Sequence, residues 1–97
     1  GIKKEGNEVP ATYSLKQNYP NPFNPTTVIK FDIPKSSFVK ISVFDINGRE
    51  VDVLVNEQMQ SGTYSVSWNG FLKSSGVYFC RITAGNYIET KRMVLIK

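Results

Sequence analysis

The sequence predicts an all-β domain, an antiparallel β-sandwich of about seven strands. Several runs alternate apolar and polar residues with a period of two, which is typical of strands that are covered on one face. Turn-forming pairs, Asn47-Gly48 and Gly85-Asn86 among them, separate these runs at a spacing of roughly 8–12 residues, as in small sandwiches. No stretch repeats apolar residues at helical spacing for long enough to predict a helix.

The clearest strands can be placed in chain order. A short strand near Tyr13–Gln17 comes first, and the next covers Ile29–Ile33 and ends before Pro34, which has no backbone N–H for a ladder. Four runs place the following apolar side chains on one face: Ile29, Phe31 and Ile33; Val39, Ile41 and Val43; Tyr64, Val66 and Trp68; and Tyr78, Cys80, Ile82 and Ala84. Each of these faces is predicted to line the core.

The strand after Asn47-Gly48 has two interpretations. Val51–Val55 alternates, but Val51 with Leu54 also fits a strand that is interrupted by a bulge. From there to Gly62 the sequence predicts a loop in which Met59 reaches back to the core.

The sequence predicts the types of two turns but leaves the inward face of the last strand open. Asn-Gly supplies two residues that tolerate positive φ, so Asn47-Gly48 predicts a type I′ hairpin turn. Gly85-Asn86 predicts a tight two-residue turn between the last two strands. In the last strand two inward faces are open, Met93 with Leu95 or Val94 with Ile96.

The composition excludes several function classes. The 97 residues fit a single domain, and the net charge is +4. The 12 Lys and Arg residues are scattered, whereas nucleic-acid-binding domains collect them on one face, so we predict no nucleic-acid partner. Histidine is absent, and the single cysteine, Cys80, cannot form a disulfide within the chain. No apolar run reaches the roughly 18 residues of a membrane span, so we predict no membrane insertion.

Two regions are predicted along the chain. Residues 1–12 are expected to be a linker from an upstream domain, because they are polar and lack the apolar segment of a signal peptide. Residues 13–97 are expected to form the sandwich. The chain is therefore predicted to be the C-terminal part of a larger protein.

The sequence predicts no catalytic site, no metal site and no cofactor. The acidic residues fall mostly at outward strand positions or in loops, and no histidine is present to activate a serine or threonine. Asp45–Glu50 lacks the third ligand position and the distal glutamate of a calcium loop. Cys80 shares a face with Tyr78 and Ile82, which favours a small core residue over a nucleophile.

One proline-rich segment, NYPNPFNPTT at Asn18–Thr27, is called the collar below. Its three prolines prevent a helix or a central strand and make it a poor template for edge pairing. Residues before proline are restricted to extended geometry, and asparagine side chains can bond nearby backbone groups. We therefore predict a stiff lid that lays Tyr19 and Phe23 over the open end of the sandwich.

Five motifs occur in order along the chain: LKQNYPNPFNPTTVI, VFDINGREV, GTYSVSWNG, SGVYFCRI and KRMVLIK. Together they resemble the type A C-terminal sorting domains of the type IX secretion system, which end exported proteins of Bacteroidetes and related bacteria. The middle motifs also resemble the immunoglobulin-like module of flagellar hook-capping proteins, which implies an immunoglobulin-like sandwich. The resemblance gives a structural role to Asn18, Tyr19, Pro20, Asn21, Pro22, Phe23, Asn24, Pro25, Gly48, Gly62, Tyr64, Trp68, Gly76 and Tyr78.

The resemblance implies a non-catalytic export signal. The domain would be covalently part of an exported cargo protein and would direct it through the periplasm to the cell surface or the extracellular space. Its implied partners are the outer-membrane type IX machinery and a cell-surface sortase that usually removes the domain, with the processing site in the linker.

Two other functions stay open on the sequence. One is a passive immunoglobulin-like spacer or assembly module, and the other is an accessory carbohydrate-binding module. Candidate sugar-stacking rings are Tyr13, Phe71, Phe79 and Tyr87, whereas Trp68 alternates onto the inward face.

The last strand is the predicted recognition site for the secretion machinery. It is expected at a sheet edge, where its backbone groups could pair with a partner by strand addition. The residues assigned to recognition are Lys91, Arg92, Val94, Ile96 and Lys97. A second interpretation is equally open: Lys97 only keeps this edge soluble, since a charge at a sheet edge is a common protection against aggregation.

Overall fold

The computed structural model describes residues 1–97 and contains eight β-strands and no helix. The strands are β1 (Ile2–Lys4), β2 (Ser14–Leu15), β3 (Thr26–Ile33), β4 (Ser37–Phe44), β5 (Glu50–Met59), β6 (Gly62–Asn69), β7 (Gly76–Ala84) and β8 (Tyr87–Leu95). They form two four-stranded sheets with the orders β1-β6-β3-β2 and β5-β4-β7-β8, and every pairing is antiparallel. The predicted all-β sandwich is confirmed.

The core lies between the two sheets and contains 19 buried apolar side chains. It includes every inward residue that the alternation predicted for β3, β4, β6 and β7. Period-two burial on one face therefore positions both sheets around a single core.

The strand count exceeds the predicted seven because the N-terminal segment pairs with β6. Ile2 lies opposite Val66, and Lys4 lies opposite Tyr64. With one apolar residue in three, this strand gives no alternation signal in the sequence. The division into a linker at residues 1–12 and a domain at residues 13–97 stays a prediction.

The β5 strand is longer than the sequence predicts. The expected loop up to Gly62 is wrong, because β5 continues to Met59 and pairs with Ser37–Ile41 of β4. Two register shifts leave Leu54 and Val51 without an opposite residue in β4, so the strand is bulged at both. Backbone pairing with β4 outweighs the low strand propensity of the polar residues that precede Met59.

The turn between β4 and β5 differs from its prediction. A type I′ turn at Asn47-Gly48 is wrong, because Gly48 has a φ of 80° and no non-glycine residue has positive φ. The Asp45 carboxylate accepts hydrogen bonds from the N–H groups of Asn47 (2.9 Å) and Arg49 (3.0 Å) and holds a wider turn. The bond from the Arg49 N–H is also the main reason why the pKa of Asp45 lies below its usual value.

The last hairpin follows its prediction. Gly85-Asn86 is a two-residue turn between β7 and β8. Met93 and Leu95 are buried and Ile96 is half exposed, so the first of the two possible inward faces of β8 is the correct one.

Candidate functional site

The collar is bonded to β3 and to the loop after β6, which places it at one end of the sandwich. Tyr19 and Val28 exchange two backbone hydrogen bonds of 3.0 Å each. The Gly70 N–H donates to the Pro25 carbonyl oxygen at 2.8 Å. The three X-Pro peptide bonds of the collar are cis.

The two aromatic side chains of the collar have opposite environments. Phe23 is 1% exposed, and its ring centroid lies 5.6 Å from that of Trp68, so its predicted burial is confirmed. The predicted burial of Tyr19 is wrong, since this side chain is 80% exposed. Tyr19 is bridged to Val28, which alternates with the inward residues of β3, and residues opposite each other in a ladder share a face.

A buried polar network holds the collar in shape. The Asn18 side-chain amide, 3% exposed, donates to the Pro20 carbonyl oxygen (3.2 Å) and to Thr27 Oγ1 (3.0 Å). The Thr27 hydroxyl in turn donates to the same Pro20 carbonyl oxygen at 2.8 Å. The two side chains therefore supply hydrogen-bond donors to the Pro20 carbonyl oxygen, because a proline-rich segment has few backbone N–H groups that could do so.

The collar also occupies the outer edge of β8. The Phe23 N–H donates to the Val94 carbonyl oxygen at 2.9 Å, and the Ile96 N–H donates to the Phe23 carbonyl oxygen at 2.9 Å. The Val94 N–H donates to Asn21 Oδ1 at 3.0 Å. The first proline-rich motif and the last motif of the chain thus form one hydrogen-bonded contact.

Gln17 extends this contact towards the start of β8. Its side-chain amide donates to the Arg92 carbonyl oxygen at 2.7 Å and to Asn18 Oδ1 at 2.8 Å. The last strand lies at a sheet edge as predicted. The prediction that its backbone groups are open to a partner is wrong for the carbonyl oxygens of Arg92 and Val94 and for the N–H groups of Val94 and Ile96, because Gln17 and the collar already bond them.

Lys97 is hydrogen-bonded to the loop between β6 and β7. The Lys97 ammonium donates to the carbonyl oxygens of Phe71 and Lys73, the second at 3.0 Å. Its backbone N–H donates to Ser75 Oγ at 3.0 Å. The charged end of β8 is therefore bonded within the domain.

Comparison with known families identifies the domain. The family model described as the secretion system C-terminal sorting domain matches residues 17–97. The chain belongs to this family. The match begins at Gln17, where the contact between the collar and β8 begins. No curated protein and no solved structure gives a match.

Sorting domains of this family are the C-terminal signals of type IX secretion, so the role as an export signal that the five motifs imply is confirmed. The sorting domain marks a larger cargo protein for export to the cell surface or the extracellular space. The structure has no helix long and apolar enough to cross a membrane.

The residues assigned to recognition lie along the last part of β8 and directly after it, and they differ in exposure. Lys91 is one-third exposed and pairs with a neighbouring glutamate at 3.8 Å. Arg92 is exposed, Val94 is half-buried and Ile96 is 51% exposed. Their role in recognition stays a prediction.

Two tyrosines of the family motifs stabilise turns by the same device. The Tyr64 hydroxyl donates to the Gln60 carbonyl oxygen at 2.8 Å. The Tyr78 hydroxyl donates to the Ser74 carbonyl oxygen at 2.7 Å. Each bond spans four residues and holds the turn in front of the motif glycine that begins β6 or β7.

Two residues of the site were missed by sequence reasoning. Gln17 reaches Arg92, 75 positions away, and Asp52 Oδ2 accepts a hydrogen bond from Trp68 Nε1 at 2.9 Å. No periodicity connects such distant residues. The only signal for Gln17 in the sequence is its place at the start of the proline-rich motif.

The candidate sugar-stacking rings do not form a shared platform. Tyr13 and Tyr87 stack on each other with centroids 5.4 Å apart. Phe71 is 64% exposed, and the Lys97 ammonium lies 5.4 Å from its ring centroid. Trp68 is buried, as predicted.

The groups that could carry chemistry are dispersed or inert. Cys80 is buried, and burial raises the pKa of its thiol to about 12, so it stays protonated at neutral pH. No group of three or more His, Cys, Asp or Glu residues could hold a metal ion. A cleft of about 410 Å³ beside the β4–β5 turn contains Asp45 and Arg49, which bond to each other at 3.1 Å.

Proposed function

We propose that the sorting domain is a non-catalytic signal that the outer-membrane part of the type IX machinery recognises in its folded state. A cell-surface sortase then removes it from the cargo. The proposal rests on the hydrogen-bonded contact between the collar and β8. The residues that these two segments bring into contact lie more than 70 positions apart in the chain, so they form one surface only when the domain is folded.

The occupied edge of β8 changes the expected mode of recognition. Strand addition needs free backbone groups, and four on the outer edge of β8 are already bonded to Gln17 or the collar: the carbonyl oxygens of Arg92 and Val94 and the N–H groups of Val94 and Ile96. Side chains on the rim of this contact are free to meet a partner, among them Arg92, Ile96 and Tyr19. The machinery would therefore read side chains at the end of β8 together with the collar rather than an open backbone ladder.

The lack of catalysis is supported by the chemistry of the site. The Cys80 thiol is buried and protonated, and the Asp45 carboxylate is saturated by hydrogen bonds from its own turn. The chain has no histidine to act as a general base.

An export assay tests the recognition surface. A reporter is fused upstream of the sorting domain in a type IX-competent host, and a bulky tail is added after Lys97. Deletion of Ile96 and Lys97 is a poorer test, because it also removes their bonds to Phe23 and Phe71. We expect the extended protein to fold and to accumulate in the periplasm.

In the matched control the same sequence is inserted between Lys35 and Ser36. These two exposed residues lie in the loop between β3 and β4, at the opposite end of the sandwich. This variant should reach the surface at the wild-type level. A point substitution refines the result: Arg92→Glu should reduce surface display, whereas Lys35→Glu should not. Wild-type display of both the extended protein and the Arg92→Glu variant would contradict the proposed surface.

A further inference from the structure

The N-terminal segment is not uniformly exposed. Ile2–Lys4 pairs with β6, and the Glu5 N–H donates to the Thr63 carbonyl oxygen at 2.7 Å. Glu5 Oε2 accepts a hydrogen bond from Ser65 Oγ at 3.2 Å. Ile2 packs against the core. Residues 2–5 are thus bonded to the first sheet.

The next segment has a different character. Gly6 has a φ of 87°, and the chain has no regular secondary structure from there to Thr12. Every residue of this segment is exposed except Pro10, which is half-buried. A peptidase binds its substrate as an extended, unpaired chain, so this segment is the accessible one.

We propose, as an extension of the proposed function, that the processing bond lies within residues 6–12 and that β1 stays hydrogen-bonded to β6 after the cut. Cleavage hydrolyses one peptide bond: water supplies the hydroxyl of the new carboxylate and the hydrogen of the new amine. The upstream product carries β1. Its separation from the sorting domain is therefore a second, reversible step, set by a three-residue strand.

The outer edge of β6 is accordingly a binding site for an extended peptide, and residues 1–5 are its resident ligand. Strand addition of this kind takes its affinity from the main chain and its selectivity from alternate side chains. Here the alternate side chain is Ile2, which packs against the core. While the chain is intact, residues 6–12 link β1 covalently to the domain and keep its effective concentration at β6 high. The cut removes this link, so β1 then binds β6 only as strongly as a free peptide would.

Limited digestion of the full chain with a glutamate-specific endopeptidase tests the first part. Glu8 lies in the accessible segment, whereas Glu5 is bonded to β6. We expect the first cut after Glu8, at least about tenfold faster than the cut after Glu5, as read by mass spectrometry. Equal rates, or a first cut within Glu50–Lys97, would overturn the proposal.

A pair of proline variants supplies the matched control. Glu5 and Thr63 form a hydrogen-bonded pair, and such pairs alternate along an antiparallel ladder, so the Lys3 N–H faces β6 and the Lys4 N–H does not. Lys3→Pro should speed the cut after Glu5 about tenfold, and Lys4→Pro should change it less than about twofold. No difference between the two variants would count against docking of β1.

Nuclear magnetic resonance of the chain cut after Glu8 tests the second part. At about 1 mM the amide shifts of Tyr64, Ser65 and Val66 should stay at their uncut values, and dilution should move them. Added free peptide of residues 1–8 should restore them, and the same peptide with Ile2→Asp should not. Loss of the uncut shifts on cutting, without recovery in excess peptide, would overturn retention of β1.

The export assay distinguishes this inference from the proposed function. The new carboxyl end of the released reporter is identified by mass spectrometry, and we expect it within residues 6–12. A cut upstream of Ile2 with normal export would reject this inference and leave the proposed function intact.

Discussion

Trp68 is the residue that joins the collar to the core. It is 2% exposed, and its ring packs against Phe23 of the collar and edge-on to Tyr78 of β7, 5.3 Å away. Its indole N–H donates to Asp52 of β5. A single side chain therefore contacts both sheets and the collar, and it satisfies its one polar atom at the rim of the core.

Replacement of Trp68 by alanine should be severe. We expect Trp68→Ala to lower the free energy of unfolding by about 3–5 kcal/mol, the range for a large buried aromatic side chain, as measured by urea denaturation. Asp52→Ala leaves the ring packing in place and removes the acceptor of the indole N–H together with that of the exposed Val53 N–H, so it should cost about 1–2 kcal/mol. Comparable losses in the two variants would mean that the hydrogen bond, and not the packing, makes the larger contribution.

Among the elements, the pairing of β8 with the collar is the most consequential. An edge strand exposes unpaired backbone groups, and natural sheets cover or disrupt such edges. In this domain an irregular segment covers the edge, using one backbone bridge at Phe23 and two side-chain amides, Gln17 and Asn21. The cover spans the part of β8 that carries the last family motif.

Amide hydrogen exchange should show which N–H groups of β8 are protected by their bonds to the collar. The N–H groups of Val94 and Ile96 are bonded to the collar, whereas that of Thr90 lies on the same edge beyond it. We expect Val94 and Ile96 to exchange more slowly than Thr90. Asn21→Ala should speed exchange at Val94 about five- to tenfold, the equivalent of one hydrogen bond, and leave Thr90 unchanged. Equal exchange at Val94 and Thr90 in the wild-type protein would contradict the contact.

Local pattern explains which elements the sequence could predict. Alternation placed the inward faces of β3, β4, β6 and β7 correctly, because each strand is covered on one side only. It missed β1, which has one apolar residue, and the end of β5, where pairing with β4 overrides propensity. The exposure of Tyr19 depends on its pairing with Val28, which no local pattern encodes.

The candidate site was predictable only in part for the same reason. The resemblance identified the collar and the last strand as separate motifs, each from its own residues. Their contact through Gln17 and Asn21 joins positions more than 70 residues apart, and it is specified by tertiary structure alone.

In the whole molecule, the collar connects the two sheets. It continues directly into β3 of one sheet and bonds to β8 of the other, while Trp68 lies beneath it. Leu15, Phe23 and Leu95 belong to the same buried cluster as the strand residues. Neither sheet can separate from the other without breaking this connection.

We therefore expect the sorting domain to unfold in one transition. Trp68 is the only tryptophan, so its fluorescence reports on the collar end of the core, whereas far-ultraviolet circular dichroism reports on both sheets. The two signals should give the same denaturation midpoint, as in two-state domains. A fluorescence change at lower denaturant than the dichroism change would show that the collar end opens separately.

The structure of the four sheet edges affects how readily copies of the domain aggregate. One edge strand, β1, has three residues and another, β2, has two, while β5 is broken by bulges at Val51 and Leu54 and the C-terminal half of β8 is covered by Gln17 and the collar. Long, flat, bare edges are the usual templates from which chains aggregate. Each edge of the folded sorting domain is short, bulged or partly covered, so many copies can crowd together, each attached to its own cargo, with little tendency to join edge to edge.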